Sequence, residues 1–433
     1  VNLVIWFFMQ EDFLHYIWRY QKFASTDLQT VEGVPIHVIK TGFAHTNAGP
    51  DFQQAKVKIG EMEWAGAVEI HIKASDWNRH YHQSDPNYQN VVLHVVWQAD
   101  EAILHPDGTA IPTLELKDKV DLSLIDSYKK LVQSSDEIAC AQHWEDIGDV
   151  YKSEMLERVL VERLNDKSEK ARKYFNEVKQ DWEEVSYFML LSAMGFKVNQ
   201  HPFERLATVL PYSFVKKIKH HPELLEAVVF GASGFLEQEF IDDYPNQLKK
   251  DWKFLRHKHS SILQDTMQQH EWRFLRLRPT NFPTVRLAQL AQLLHQLPSL
   301  FDAFVLEMNT KELMKNFRVT PHEYWENHFQ FDVESPRKSK KLGRSSVDIL
   351  LMNTVPPLLA FYAKGVGEER YVDQAIQLMN TLKAEKNFIS RKFESLGMKI
   401  STASDSQALI QLHNAYCQPK KCLSCSVGLS ILK

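Results

Sequence analysis

The 433-residue chain is 44% apolar and 24% charged, ordinary values that exclude a disordered or fibrous class and leave room for two or more separate cores. A formal net charge of -4 supplies no global basic field, so any nucleic-acid binding would rest on local patches. No run of about 18 or more apolar residues argues for a membrane span, and four cysteines suit a reducing compartment and a metal site better than a disulfide framework. A cytoplasmic protein is expected. Val1 to Phe8 is apolar but lacks a basic leader and a small-residue cleavage site, and Met9 reads as the natural start.

In chain order, Leu14, Ile17, Trp18 and Phe23 approximate helical spacing across Glu11 to Phe23. Val34 to Lys40 reads as a short strand. Phe52 to Ile59 alternates Ala55, Val57 and Ile59 against Lys56 and Lys58, Gly60 marks a turn, and a further alternating run leads to Lys73. Ser75-Asp76-Trp77 would cap a short helix, and Val91 to Trp97 is an apolar strand interrupted by His94. The order is helix, three strands, helix, strand. A second hairpin is expected from Ile103-Leu104 through Pro106-Asp107-Gly108 to Ile111–Leu116. Past about Ser134, long amphipathic patterns such as Tyr151 to Val178 and Asp181 to Met194 predict helices, with a basic loop at Pro336 to Arg344. The fold class expected is therefore a mixed α/β domain over 9–133 with a central mixed sheet, followed by a larger all-α domain over 134–433.

The densest chemistry lies at Glu69-Ile70-His71-Ile72-Lys73. Residues two apart on a strand share a face, so Glu69, His71 and Lys73 would line one side while Val68, Ile70 and Ile72 turn to a core. With Asp51 from the neighbouring strand, two carboxylates could hold Mg²⁺ or Mn²⁺ for phosphodiester cleavage, and Lys73 could orient the attacking water. His71 could assist in catalysis or ligate a softer ion, and His80, His82 and His94 could join it around Zn²⁺. Glu11 opens the first helix, a position that the helix dipole favours for acids. The plainer alternative makes Glu69, His71 and Lys73 the solvated face of an amphipathic strand.

A second metal pattern closes the chain. His413-x3-Cys417-x4-Cys422-x2-Cys425 holds four soft ligands, enough for tetrahedral zinc, and Cys140 could replace His413 to give four thiolates suited to zinc or an iron-sulfur cluster. Two basic stretches point to nucleic acid. Trp272 to Arg286 interleaves Arg276, Arg278 and Arg286 with aromatics, and the loop carries Arg337, Lys340, Lys341 and Arg344. Lys249 to His259 adds a further basic and aromatic run. Each could equally be a helix whose cations pair or snorkel.

Gly49-Pro50-Asp51-Phe52 followed by Glu69-Ile70-His71 resembles the PD-(D/E)XK nuclease superfamily, whose core has the same helix, three strands, helix, strand order. Pro50-Asp51 matches the first half of that pattern, while His71 stands where a lysine is expected and Lys73 follows one strand repeat later. The resemblance implies a metal-dependent nuclease with Asp51 and Glu69 on the ion. Some members tie a C-terminal segment to the catalytic core with a cysteine cluster, an arrangement Cys140 would fit. Over most of the chain, Arg278-Pro279-Thr280-Asn281-Phe282-Pro283, Ser406-Gln407-Ala408-Leu409-Ile410 and Cys417 to Gly428 resemble the domain-of-unknown-function family 2851, which implies an intracellular bacterial protein. Two further functions are open: a non-catalytic nucleic-acid or protein binding module, and a zinc-dependent hydrolase of another substrate.

Overall fold

The computed structural model describes residues 9–45, 48–306 and 309–432, so the reading of Val1 to Phe8 lies outside the described residues. The chain divides into two compact units, one from the described residues of Val1–Met155 with Leu412–Lys433 and one from Leu156–Gln411. The division falls later than the expected 133/134 boundary, and the cysteine-bearing tail belongs with the sheet. Hydrogen bonds hold the tail there. The Tyr16 hydroxyl donates to the Leu432 carbonyl at 2.8 Å. The Lys420 ammonium donates to the carbonyls of Val132, at 3.0 Å, and Ser134, which end a helix and have no partner within it.

In the first unit, α1 (Glu11–Arg19) buries Phe13, Leu14, Ile17 and Trp18. Those positions fall on one face at helical spacing. Then come β1 (Ile36–Lys40), β2 (Phe43–Ala44), β3 (Phe52–Ile59), β4 (Met62–Lys73), α2 (Asp76–Arg79), β5 (Val91–Gln98), β6 (Thr113–Glu115) and α3 (Leu122–Gln133). The sheet order is β1-β3-β4-β5-β6, with β2 also beside β3. Pairing is antiparallel from β1 through β4 and parallel from β4 to β6. The sheet is thus mixed, as the sequence predicts. Ile59 faces Met62 across a two-residue turn in which Gly60 takes a φ of 59°, a left-handed value that glycine adopts without a Cβ clash.

β4 changes character along its length. Met62 to Ala65 are exposed, whereas Ala67 to His71 are all buried. Neither face of that inner stretch is solvated, because the strand lies between β3 and the parallel β5, where both sheet faces are covered. The second hairpin forms, short, around Pro106-Asp107-Gly108: the Ile111 amide donates to the Ile103 carbonyl at 2.9 Å and the His105 amide to the Thr109 carbonyl at 2.8 Å, with Leu104 opposite Ala110, and beyond it Thr113–Glu115 pair in parallel with His94 to Val96. One local expectation changes. Ser75 does not cap α2, since its amide and hydroxyl both donate to Asp100, at 2.9 and 2.8 Å.

The second unit is mainly helical, and it departs from the all-α expectation in one short antiparallel pair, His328–Gln330 with Val333–Glu334. Asp181 caps Trp182–Met194 by accepting from the amides of Glu183 and Glu184 at 2.8 and 3.2 Å. The helix Arg344–Val366 is long and apolar enough, by composition, to cross a bilayer, yet 78% of an 18-residue apolar window within it is buried within the protein.

Candidate metal centre

β4, α2 and the turn after it bring a group of imidazoles together. Glu69 and His71 lie on β4, His94 on the adjoining β5, and His80 and His82 on the turn that follows α2. Glu69 is 4% exposed, His71 1% and His94 0%. The potential ligand atoms of His71, His80 and His82 all lie within 4.8 Å of one another. His71 Nε2 is 3.2 Å from His80 Nδ1, and Glu69 Oε1 is 3.6 Å from His71 Nε2 and 3.2 Å from His82 Nε2. Behind them, His71 Nδ1 is 2.9 Å from His94 Nε2.

Packing fixes these rings. Tyr88 stacks on His82 with centroids 3.8 Å apart, and Trp77 meets His82 and His94 at 5.4 and 5.3 Å. Trp77 and Tyr88 belong to a hydrophobic cluster with Ala67, Val91 and Val96. Burial is also the main electrostatic force. It pulls the His71 pKa down to about 2, helped by repulsion from His94, His82, His80 and His15, and brings His94 to about 3, helped by His82. Both rings are therefore neutral near pH 7, the form that ligates metal. Burial likewise raises the Glu69 carboxyl, against the hydrogen bond from His82.

Asp51 stands beside this group. Its amide donates to Glu69 Oε2 at 3.1 Å, and its Oδ2 accepts from the Ile70 amide at 3.0 Å and lies 3.2 Å from His15 Nε2. The two acids are close enough that the charge on Asp51 helps raise Glu69. His15 was not anticipated. It lies four residues after Glu11 on α1, a spacing that puts both side chains on one helical face, and that spacing was its one sequence signal. Burial lowers its pKa, but Asp51 and then Asp12 outweigh burial and the net shift is upward. Glu11 shares the neighbourhood: burial raises its carboxyl, and the charges of His80, Asp51 and His15 reach it. Near Lys73, burial raises the Asp100 carboxyl but the Ser75 hydrogen bonds, helped by the Lys73 charge, bring the net shift down, and the Lys73 amide donates to Asp76 Oδ2 at 3.1 Å.

The structure also gathers the cysteines. Cys140, Cys422 and Cys425 are buried and Cys417 is half-buried. Burial raises the Cys140 thiol to about 12, with further repulsion from Cys425 and Cys422. Cys417 is raised too, by burial and then by Cys140, Cys425 and Cys422. The four sulfurs are thus within one another's electrostatic reach. His413 is engaged elsewhere, with Nε2 3.3 Å from Glu137 Oε2 and Nδ1 3.0 Å from Asn414 Oδ1.

The basic stretches bury most of their rings, although Phe254 is 61% exposed with the Lys258 ammonium 5.8 Å from its centroid. Trp272 is buried and donates to the Ser233 carbonyl at 2.9 Å, and Phe274 packs against Phe235 and Phe282. Stacking on bases would require those rings in solvent. Lys249 is buried and donates to Gln238 O at 2.8 Å and Glu239 Oε1 at 2.6 Å, and Trp252 beside it is buried as well. Lys340 is buried, its ammonium donating to Glu326 O and Lys338 O at 2.9 and 3.0 Å. Arg337 pairs with Glu326 and Arg344 with Asp348, at 2.6 and 3.0 Å. Arg276, Arg278 and Lys341 are exposed, whereas Arg286 is buried.

Fold and site together define a protein with a mixed α/β unit, built around clustered imidazoles and carboxylates, and a separate helical unit. Over residues 11–388 the chain matches the family described as "Protein of unknown function (DUF2851)". It belongs to that family. No curated protein and no solved structure matches it.

Proposed function

We propose that the α/β unit is a metal-dependent hydrolase of phosphodiesters, a nuclease, whose ion is held by His71, His80 and His82 with Glu69 beside them. The observation that carries this reading is the spacing of the donors. Two nitrogens on one tetrahedral ion, each at about 2.0–2.1 Å, stand roughly 3.3 Å apart. The 3.2 Å between His71 Nε2 and His80 Nδ1, and the 3.2 and 3.6 Å from Glu69 Oε1 to His82 and His71, match that edge. Three imidazoles and a carboxylate suit zinc or manganese, whereas magnesium favours an all-oxygen shell. The donor set fits the softer ions.

A bound ion would supply Lewis acidity toward a phosphoryl oxygen. The residues of this chain do the rest. His94 holds His71 through Nδ1, leaving Nε2 toward the centre. Asp51, bonded to the Ile70 amide and flanked by His15, keeps a second carboxylate next to Glu69. Nuclease chemistry is favoured by that Asp-Glu pair and by the strand order, which resembles the PD-(D/E)XK core, with His71 in the place of its lysine. A cytoplasmic hydrolase of nucleic acid follows from this reading. The four cysteines are proposed to hold zinc or an iron-sulfur cluster that staples the tail to the first unit.

A second reading, a zinc hydrolase of another substrate, is favoured by the predominance of imidazole among the donors. Metal analysis of the purified chain, with cleavage of labelled DNA and RNA in Mg²⁺, Mn²⁺ and Zn²⁺, separates the two. The expected result is one ion lost in His71→Ala/His82→Ala, with Mn²⁺- or Zn²⁺-dependent cutting lost in the same variant. A histidine-dependent ion without cutting would favour the second reading. Parental metal content in the double variant would overturn both.

A further inference from the structure

A cleft of about 630 Å³ opens in the first unit beside the Gly49-Pro50 segment that leads into Asp51. Lys40, Gln53, Gln54, Lys56, Asn87 and Asn90 line it, and among the described residues of its lining there is no acid. Ala65 of β4 lies at its base. Side chains two apart on a strand share a face, so Ala65, Ala67, Glu69 and His71 run along β4 from the cleft to the imidazole centre. At about 3.3 Å per residue, Ala65 and Glu69 stand roughly 13 Å apart. The turn Pro86–Tyr88 serves both places. Tyr88 stacks on His82, while Asn87 and Asn90 on either side of it are exposed and line the cleft.

Three independent features point to a ligand there. Lys40 on β1 lies directly opposite Lys56 on β3, and like charges so placed repel. Lys56 pairs with Glu63 at 2.7 Å, whereas Lys40 has no ion pair among the described residues and holds its ammonium 4.0 Å from the centroid of the Phe43 ring. A bound anion would offset that repulsion. The Phe43 ring is itself 60% exposed, and an exposed ring beside a cation is a platform on which a base can stack. Finally, β3 bulges between Phe52 and Ala55, where Gln54 takes a φ of 57°. A side chain in that left-handed region is strained, and bulges re-aim side chains next to active sites. Here the bulge leaves Gln53 and Gln54 both exposed and both lining the cleft. Among the described residues, none of the four carboxamide side chains has a hydrogen-bond partner. Carboxamides donate and accept together, the pattern that base edges present in return.

We propose that this cleft grips a nucleic-acid strand whose scissile phosphate lies at the imidazole centre. Lys40, with Lys56 opposite, takes a phosphate; Phe43 stacks a base; Gln53, Gln54, Asn87 and Asn90 bond base edges. The proposal deepens the nuclease reading, and the choice of nucleic acid as occupant rests on that reading. Roughly 13 Å along β4 equals about four nucleotides at a helical rise of about 3.4 Å, so the strand is held about four nucleotides from the bond to be cut.

The test uses the full chain as purified and a labelled oligonucleotide with phosphorothioate linkages, which keep the charge and resist cutting. Fluorescence anisotropy is read across a salt series. Lys40→Gln should weaken binding several-fold and lower the log-log salt slope by about one. Phe43→Ala should weaken it about 5- to 100-fold and leave the slope unchanged. Gln54→Gly keeps the backbone conformation, because glycine takes a positive φ freely, and should weaken binding with no fall in the thermal midpoint. All three variants should retain the parental metal content. Parental affinity in all three, in a chain that cuts nucleic acid, would overturn the cleft and leave the nuclease reading standing. Weakened binding in the variants of a chain that cuts nothing would support the cleft while that reading fails. A parent chain that takes up no oligonucleotide even at low salt would overturn the proposal.

Discussion

Glu226 shows how strongly burial governs single side chains here. It is fully enclosed, accepts from Trp325 Nε1 at 3.0 Å, and is also bonded by Tyr244. Burial outweighs both donors and raises its pKa from 4.5 to about 7. Between those values the folded state holds the proton more tightly than the unfolded state, so this carboxyl makes stability fall as pH rises across that interval. Glu226→Gln removes the titration. It should be more stable than the parent by on the order of 3 kcal/mol above pH 8, with the advantage gone near pH 4. Urea unfolding at several pH values would measure this, and a pH-independent difference would contradict it. At the metal centre, His94→Ala should reduce ion affinity about 10- to 100-fold by releasing His71, and His94→Gln, which can still hydrogen-bond, should restore part of the loss in a metal titration. The candidate site was largely legible as residue types, since Glu69, His71, His80, His82 and His94 all stand out in the sequence. Their burial was not legible. An alternating strand looks half-solvated until its neighbours are known, and β4 loses that exposure to the elements covering both sheet faces.

The elements of the first unit were readable because each carries a local signature. β3 and β4 alternate and are joined at Gly60, and α1 has its apolar face and an acidic first turn. The register between β4 and β5 was not readable, because parallel pairing leaves no turn to mark it. Gly66 is where that register is tightest. A Cβ there would lie 2.5 Å from the Asn90 carbonyl oxygen and 2.5 Å from Val92 Cγ1, and the same carbonyl accepts from the Ala67 amide at 2.9 Å. Gly66→Ala should cost about 1–3 kcal/mol through overpacking and weaken ion binding by displacing Glu69 and His71. Thermal unfolding paired with a metal titration would check it, and unchanged ion affinity would place the displacement elsewhere. The basic stretches illustrate the opposite failure. Arginine and lysine alternating with aromatics look like a binding strip, but here Trp252 and Trp272 serve the core, leaving Phe254 exposed, and Lys249 and Lys340 satisfy carbonyls.

For the whole molecule, the feature that sequence pattern could not supply was the assignment of the tail. Composition changes near residue 134, which predicts a boundary there, yet the first unit is completed by Leu412–Lys433. Only contacts far apart in sequence, such as Tyr16 to Leu432 and Lys420 to Val132, define it. Cys140 lies on the near side of that gap and Cys417, Cys422 and Cys425 on the far side. A chain shortened to end at Gln411 should therefore lose stability in the α/β unit by several kcal/mol, through lost apolar burial and uncapped carbonyls. Amide hydrogen exchange would locate the loss in α1 and α3. Unaltered protection there would show that the tail contributes little.

A unit made from two segments far apart in sequence imposes an order in time. Residues 156–411 take roughly ten to fifty seconds to emerge at about 5–20 residues per second. Throughout that interval the nascent sheet waits on the ribosome without its closing segment, while the helical unit is free to form first. Assembly of the sheet unit is thereby tied to the emergence of residues 412–432, and a polypeptide stalled before them carries an open hydrophobic seam for chaperones to recognise.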